Sequence, residues 1–110
     1  MLMLFQMLVL HALCDFPLQG DYLAKAKNPY APLPGTPWPI ALAAHALIHG
    51  GAVMLVTGSL SLGIAETTAH AAIDIAKCRG SISYTADQAL HVACKLAWAC
   101  LVPLVVASHA

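Results

Sequence analysis

The 110-residue chain reads as an all-α protein, a four-helix transmembrane bundle with up-down topology. Three features lead there. Hydrophobic residues make up 60% of the chain and charged residues 9%, whereas a soluble domain has about 45–50% and about 25%. A chain this short has too little interior to hide that excess, which excludes a soluble monomer and a disordered chain. Breakers also divide the sequence into four apolar segments of helical length, and each segment carries a pair of polar residues four positions apart. Five Lys+Arg balance five Asp+Glu, so the formal net charge is zero and nothing favours nucleic acid as a partner. The length allows one domain, an integral membrane unit over residues 1–110.

The first span runs from about residue 2 to residue 18, and Pro17 ends it or kinks it on the way to Lys27. Its apolar run has no basic leader and no small-residue cleavage site, so a retained span is expected rather than a removed signal peptide. Residues 28–39 (NPYAPLPGTPWP) hold five of the seven prolines and are expected to contain no helix. Tyr30 and Trp38 in this connection suit a membrane–water interface. The second span is 40–57, closed by a Gly-Ser-Leu-Ser turn. The third, 62–78, contains Glu66, Thr67, Thr68, His70 and Asp74, and would insert only as one arm of a hairpin with its polar face covered. Arg79-Gly80-Ser81 breaks it, and the fourth span covers 84–108 with Pro103 near its end. Crossing a bilayer takes about 17–25 residues, which the second and fourth spans meet easily.

Charge sets the expected orientation. Lys25 and Lys27 fall in the first connection and Lys77 and Arg79 border the third, while the middle turn has no Lys or Arg. The positive-inside rule then makes those two connections cytoplasmic and puts both termini outside. Cys14, Cys78, Cys94 and Cys100 form no CxxC pair and lie in apolar helical context. They read as buried filler, not as disulfides or ligands.

The chemistry lies in the paired residues. They are His11 with Asp15, His45 with His49, His70 with Asp74, and Asp87 with His91. Residues four apart share a helix face, so each span presents one two-donor stripe. Together the pairs use five of the six His and three of the four Asp. The first and third spans carry their pair late, and the second and fourth carry it early. In an antiparallel bundle all four pairs therefore fall at one depth, on the side of the basic connections. An Asp at a span's centre costs about 2.5–3.5 kcal/mol, and a divalent cation offsets that directly. Bundle cores are where facing helices build such sites. Zn is the first expectation, with Mn or Fe also suited to His and Asp donors, as one ion or two. A metal-free hydrogen-bonded network and a proton relay would use the same residues.

Glu66 lies one turn before His70 and is the candidate catalytic base, or a ligand. Lys95 continues the Asp87–His91 stripe, and Glu66 is its expected partner. Gln19 continues the His11–Asp15 stripe beyond Pro17, Lys77 and Arg79 read as interface anchors, and His109 has no partner residue and stays outside the site.

The segments His11-xxx-Asp15-Phe16-xx-Gln19, His45-xxx-His49, His70-xxx-Asp74-xx-Lys77 and Asp87-Gln88-xx-His91, with Lys27 after Leu18-Gln19, resemble the bacterial and phage membrane family called domain of unknown function 3307. The resemblance covers nearly the whole chain. It implies a multi-span protein of the bacterial inner membrane, in a family without an established activity. By analogy the pattern is also similar to membrane-bound metal-dependent hydrolases with intramembrane His and Asp motifs. The leading functional expectation is an inner-membrane metalloprotein, with hydrolysis of a lipid or membrane-embedded substrate as its activity. The alternatives are a transporter or sensor of metal ions or protons, and a non-catalytic, phage-encoded interaction protein whose polar core is structural. The bilayer is the expected partner, and a homo-oligomer is compatible with so small a chain.

Overall fold

The computed structural model describes residues 1–108, and His109 lies outside the described residues. These residues form five α-helices and no strand: α1 (Leu2–Asp15), α2 (Gly20–Ala26), α3 (Trp38–Thr57), α4 (Leu60–Cys78) and α5 (Tyr84–Ala107). The all-α expectation holds, with one helix more than the four expected.

The extra helix arises at Pro17. Proline has no N–H for the helical ladder and clashes with the preceding turn, so α1 stops at Asp15, short of the expected residue 18. A turn follows, Gly20 takes a left-handed φ of +66°, and α2 sets off at 85° to α1. The Pro-rich connection is anchored back on α2, where the Tyr22 hydroxyl donates to Thr36 Oγ1 and accepts from Thr36 N–H. This connection ends sooner than expected. Trp38 and Pro39 already belong to α3, because a proline in the first helical turn gives up an N–H that has no intrahelical partner anyway.

The turn between α3 and α4 is shorter than the sequence suggests. Gly58 closes α3 with φ +72°, and Ser59 caps α4, its Oγ accepting from Leu62 N–H. The helices then press together at two glycines: a Cβ on Gly50 would lie 2.5 Å from the Gly63 carbonyl oxygen. Ser83 caps α5 in the same way as Ser59 caps α4, through Ala86 N–H.

Partners across the interfaces count in opposite directions. Asp15 meets His45 while His11 meets His49, and Glu66 meets Lys95 while Asp74 meets His91. The pairs α1–α3 and α4–α5 therefore run antiparallel, as do α3 and α4 across Gly50–Gly63 and His45–His70. Apolar and polar positions are inverted relative to a water-soluble fold. Leu55 is 78% exposed and Leu104 68%, whereas Glu66, His45 and His70 are wholly buried. Helices α3 and α5 are each long and apolar enough to cross a membrane, and α1 with α2 qualifies as a bent pair. That is compatible with a membrane protein.

Candidate metal centre

All eight paired residues meet in one cluster. α1 supplies His11 and Asp15, α3 His45 and His49, α4 His70 and Asp74, and α5 Asp87 and His91. The imidazoles are in mutual contact: His49 stacks on His70 with ring centroids 3.7 Å apart, and His70 on His91 at 4.1 Å. Asp15 is the member most open to the outside, and the others are buried.

The spacing between donors carries the chemistry. Nε2 of His45 lies 3.3 Å from Asp15 Oδ1 and 3.7 Å from Asp74 Oδ2. Nε2 of His70 is 3.5 Å from Asp74 Oδ2, and Nε2 of His91 is 3.4 Å from both Asp74 Oδ1 and Asp87 Oδ1. His11 Nε2 stands 3.3 Å from Asp15 Oδ2. Normal N–H···O bonds span about 2.7–3.2 Å. Two donors bound to one tetrahedral ion at about 2.0–2.1 Å stand about 3.3–3.4 Å apart. Four of the six contacts have the second spacing, and the other two, at 3.5 and 3.7 Å, lie just beyond it. Among the described residues only His49 makes a direct hydrogen bond to a carboxylate, Nε2 donating to Asp15 Oδ1 at 2.9 Å. Both ring nitrogens of His45, His70 and His91 are buried without a hydrogen-bond partner among the described residues, and so is Asp87 Oδ1. A buried polar atom left unpaired costs about 1–3 kcal/mol, which coordination of the Nε2 atoms and of Asp87 would offset. Three groups of donors among the described residues are compact enough to hold an ion, and two of them lie within the paired residues: Asp15 with His45, His49 and His70, and Asp74 with Asp87 and His91.

Around the cluster, further side chains fix the ligands. Gln88 donates to Asp15 Oδ2 and Asp87 Oδ2 and accepts from His11 Nε2. Lys27, just past α2, is buried and donates to Asp74 Oδ2 at 2.7 Å and to Gln19 Oε1. Gln19 in turn donates to the Asp15 carbonyl. Glu66 accepts from Lys95 on Oε1 and from the Trp98 indole on Oε2, with His70 Nδ1 3.5 Å from Oε1. The expected Lys95–Glu66 pair is present. The third group, Glu66 with His70 and His91, also has ligand spacing, but Lys95 and Trp98 take both oxygens of that carboxylate, whereas Lys27 takes Oδ2 of Asp74 and leaves Oδ1 to face His91. Lys77 lies over the Tyr84 ring, and Arg79 donates to Ser81. All four cysteines are free thiols.

Reasoning from stripes alone misses three of these contacts. Trp98 was detectable, since it extends the Asp87–His91–Lys95 stripe by three residues. Gln88 faces α1 from beside that stripe and carries no periodic signal. Lys27 reaches Asp74 only because α1 breaks and α2 turns back, a geometry with no local signature.

The two ends of the cluster differ. At one end a pocket of about 320 Å³ opens on Asp15, Asp74 and Asp87, with Lys27 and Lys77 in its wall. At the other, buried Met7, Val53 and Leu62 form an apolar core with Trp98, Val102 and Val105 packed against it.

A family model described as Protein of unknown function (DUF3307) matches residues 3–110. The chain belongs to the DUF3307 family. All eight cluster residues, with Lys27, Glu66, Gln88 and Lys95, lie inside the matched region of this DUF3307 chain. No curated protein and no solved structure gives a match to it.

Proposed function

We propose that the chain is a multi-span metalloprotein of the bacterial inner membrane, a four-span up-down bundle whose His/Asp cluster holds divalent cations near the cytoplasmic face. The observation that carries the metal reading is the set of five Nε2–carboxylate separations of 3.3–3.7 Å at His45, His70 and His91, whose ring nitrogens have no hydrogen-bond partner among the described residues. A hydrogen-bonded network would draw those pairs inside about 3.2 Å. Zn is the first choice of ion and Mn or Fe the next. Support for the bilayer comes from the inverted burial, the antiparallel helix pairs and a longest extent of 47 Å, against a hydrocarbon core of about 30 Å. Lys25, Lys27, Lys77 and Arg79 support cytoplasmic first and third connections, and with them outward termini.

Hydrolysis of a lipid or membrane-embedded substrate is the activity the site favours. Its pocket opens on the Asp15, Asp74 and Asp87 side, and the packed Met7–Val53–Leu62 core lies on the other side among the described residues, which favours a site reached from one face over a transport path. Divalent cations held by these residues would supply Lewis-acid chemistry, polarising a substrate oxygen and acidifying water. Hydrolysis would put the water's hydroxyl on the acyl or phosphoryl group and its proton on the departing alcohol. Glu66 is held by Lys95 and Trp98. That grip suits it to orient His70, as carboxylates behind metal-binding imidazoles do, more than to carry a proton.

Metal analysis of protein purified in detergent, beside a His70→Ala variant, tests the reading. Stoichiometric metal in the wild type and its loss in the variant are expected. A wild type that takes up neither Zn nor Mn would leave the interaction-protein alternative in front.

A further inference from the structure

Asp74 faces both groups of imidazoles. Its Oδ2 lies 3.5 Å from His70 Nε2 and 3.7 Å from His45 Nε2, while its Oδ1 lies 3.4 Å from His91 Nε2. A carboxylate offering one oxygen to each of two donor sets has the form of a bridge between two ions, which in such centres stand about 3.5–4 Å apart. One set, His45, His49 and His70 with Asp15, is complete without help. The other has Asp87 and His91 besides the bridge, which leaves room for an outside ligand. Both Asp74 and Asp87 reach the wall of the pocket, whose volume of about 320 Å³ lies in the range of roughly 300–1,000 Å³ usual for small-molecule sites.

Charge selects the ligand. Metal-binding imidazoles are neutral, and Glu66 and Lys95 cancel each other. Asp15, Asp74 and Asp87 bring three negative charges, and two divalent cations with Lys27 bring five positive ones. The excess is two positive charges. Lys77 and Asp21 on the pocket wall cancel and leave it unchanged. In a partly desolvated site such an excess strongly favours a doubly charged anion. A phosphate monoester is a dianion near neutral pH, whereas a carboxylic ester or a peptide bond is neutral.

We propose that Asp74 bridges two divalent cations and that this pair binds a phosphate monoester, its phosphoryl group seated in the pocket that Lys27 and Lys77 line. The inference rests on the metalloprotein reading and narrows its substrate class. Lys27 is committed to Asp74 and Gln19. Lys77, its ammonium over the Tyr84 ring, also lines the pocket and makes no ion pair among the described residues, which lets it meet the phosphoryl oxygens.

The test uses the full chain in detergent, stripped with EDTA, reloaded with Mn or Zn, and melted with inorganic phosphate or with dihexanoyl phosphatidic acid. Two metal equivalents per chain are expected, and near saturation a rise in melting temperature of roughly 5 °C or more. Lys77→Gln should weaken the apparent phosphate affinity roughly tenfold, while Arg79→Gln, whose side chain is turned to Ser81, should leave it unchanged. A larger effect from the lipid would assign a lipid headgroup as the source, and an effect from inorganic phosphate alone a soluble ester. Two equivalents with no response to either probe would overturn the phosphate inference and leave the metal reading standing. A single equivalent would overturn the Asp74 bridge, and an equal phosphate response in stripped protein would assign binding to the lysines alone and overturn the inference. Failure to bind any metal would instead remove the reading beneath it.

Discussion

Glu66 accepts the Lys95 ammonium on Oε1 inside the helix bundle, where neither residue is more than 1% exposed. Removing one partner leaves the other as a buried uncompensated charge, which costs about 3–5 kcal/mol. Lys95→Met should therefore destabilise strongly. Adding Glu66→Gln to it should restore part of the loss, because the amide is neutral and still accepts from Trp98. Chemical denaturation of the two variants in detergent checks this, and a double variant no more stable than Lys95→Met would show that the charges are not coupled.

Adjacent glycines in α3 should respond with opposite sign. A Cβ on Gly50 would stand 1.9 Å from Thr67 Oγ1 and 2.5 Å from the Gly63 carbonyl oxygen, whereas a Cβ on Gly51 meets nothing within 4 Å. Gly50→Ala must push α3 and α4 apart, at a cost of about 1–3 kcal/mol. Gly51→Ala relieves only the conformational freedom of glycine and should stabilise by up to about 1 kcal/mol. Thermal melting of the two variants decides. Equal effects would mean that the helices do not touch at Gly50.

The cluster was legible in the sequence because helical periodicity and the alternation of chain direction act together. Spacing of four put His45 over His49 and His70 over Asp74. The alternating late and early placement of the pairs put them at one level. The Lys95–Glu66 pair followed from the same stripes. The break in the first segment was not legible, since a proline either kinks a helix or stops it depending on what packs beyond. Pro17 stops α1, Gly20 turns the chain, and Lys27 arrives at Asp74 by a route that no local pattern records. Gln88 escaped for a related reason: it belongs to the face of α5 turned to α1, and which faces meet is decided by tertiary packing.

The charge asymmetry makes a topological prediction. Ala31 and Ser81 are exposed residues in the first and third connections, and Ser61 is exposed at the start of α4. In a background with the native cysteines replaced, Ser61→Cys should react with a membrane-impermeant thiol reagent added outside. Ala31→Cys and Ser81→Cys should react only after the membrane is opened. The reverse pattern would place Lys25, Lys27, Lys77 and Arg79 outside, against the positive-inside rule.

A substitution at Asp74 separates coordination from hydrogen bonding most sharply. Asp74→Asn preserves shape, and its amide oxygen can still accept from Lys27 or from an imidazole N–H. In a metal-free network it leaves the buried Lys27 ammonium without its counter-charge, at a cost of about 3–5 kcal/mol, and EDTA then moves neither protein. A metal centre loses its ion as well, because the carboxylate that faces His45, His70 and His91 loses its charge and a chelate weakens as a unit. At free metal about a hundredfold above its dissociation constant, bound ion contributes about 2.7 kcal/mol. In a chain of this size that corresponds to roughly 10–20 °C in melting temperature. EDTA should therefore lower the melting temperature of the wild type by that order and hardly move the Asn variant, which already melts low. If EDTA shifts the melting of neither protein, the His/Asp cluster is a structural network, and hydrolysis by bound metal goes with it.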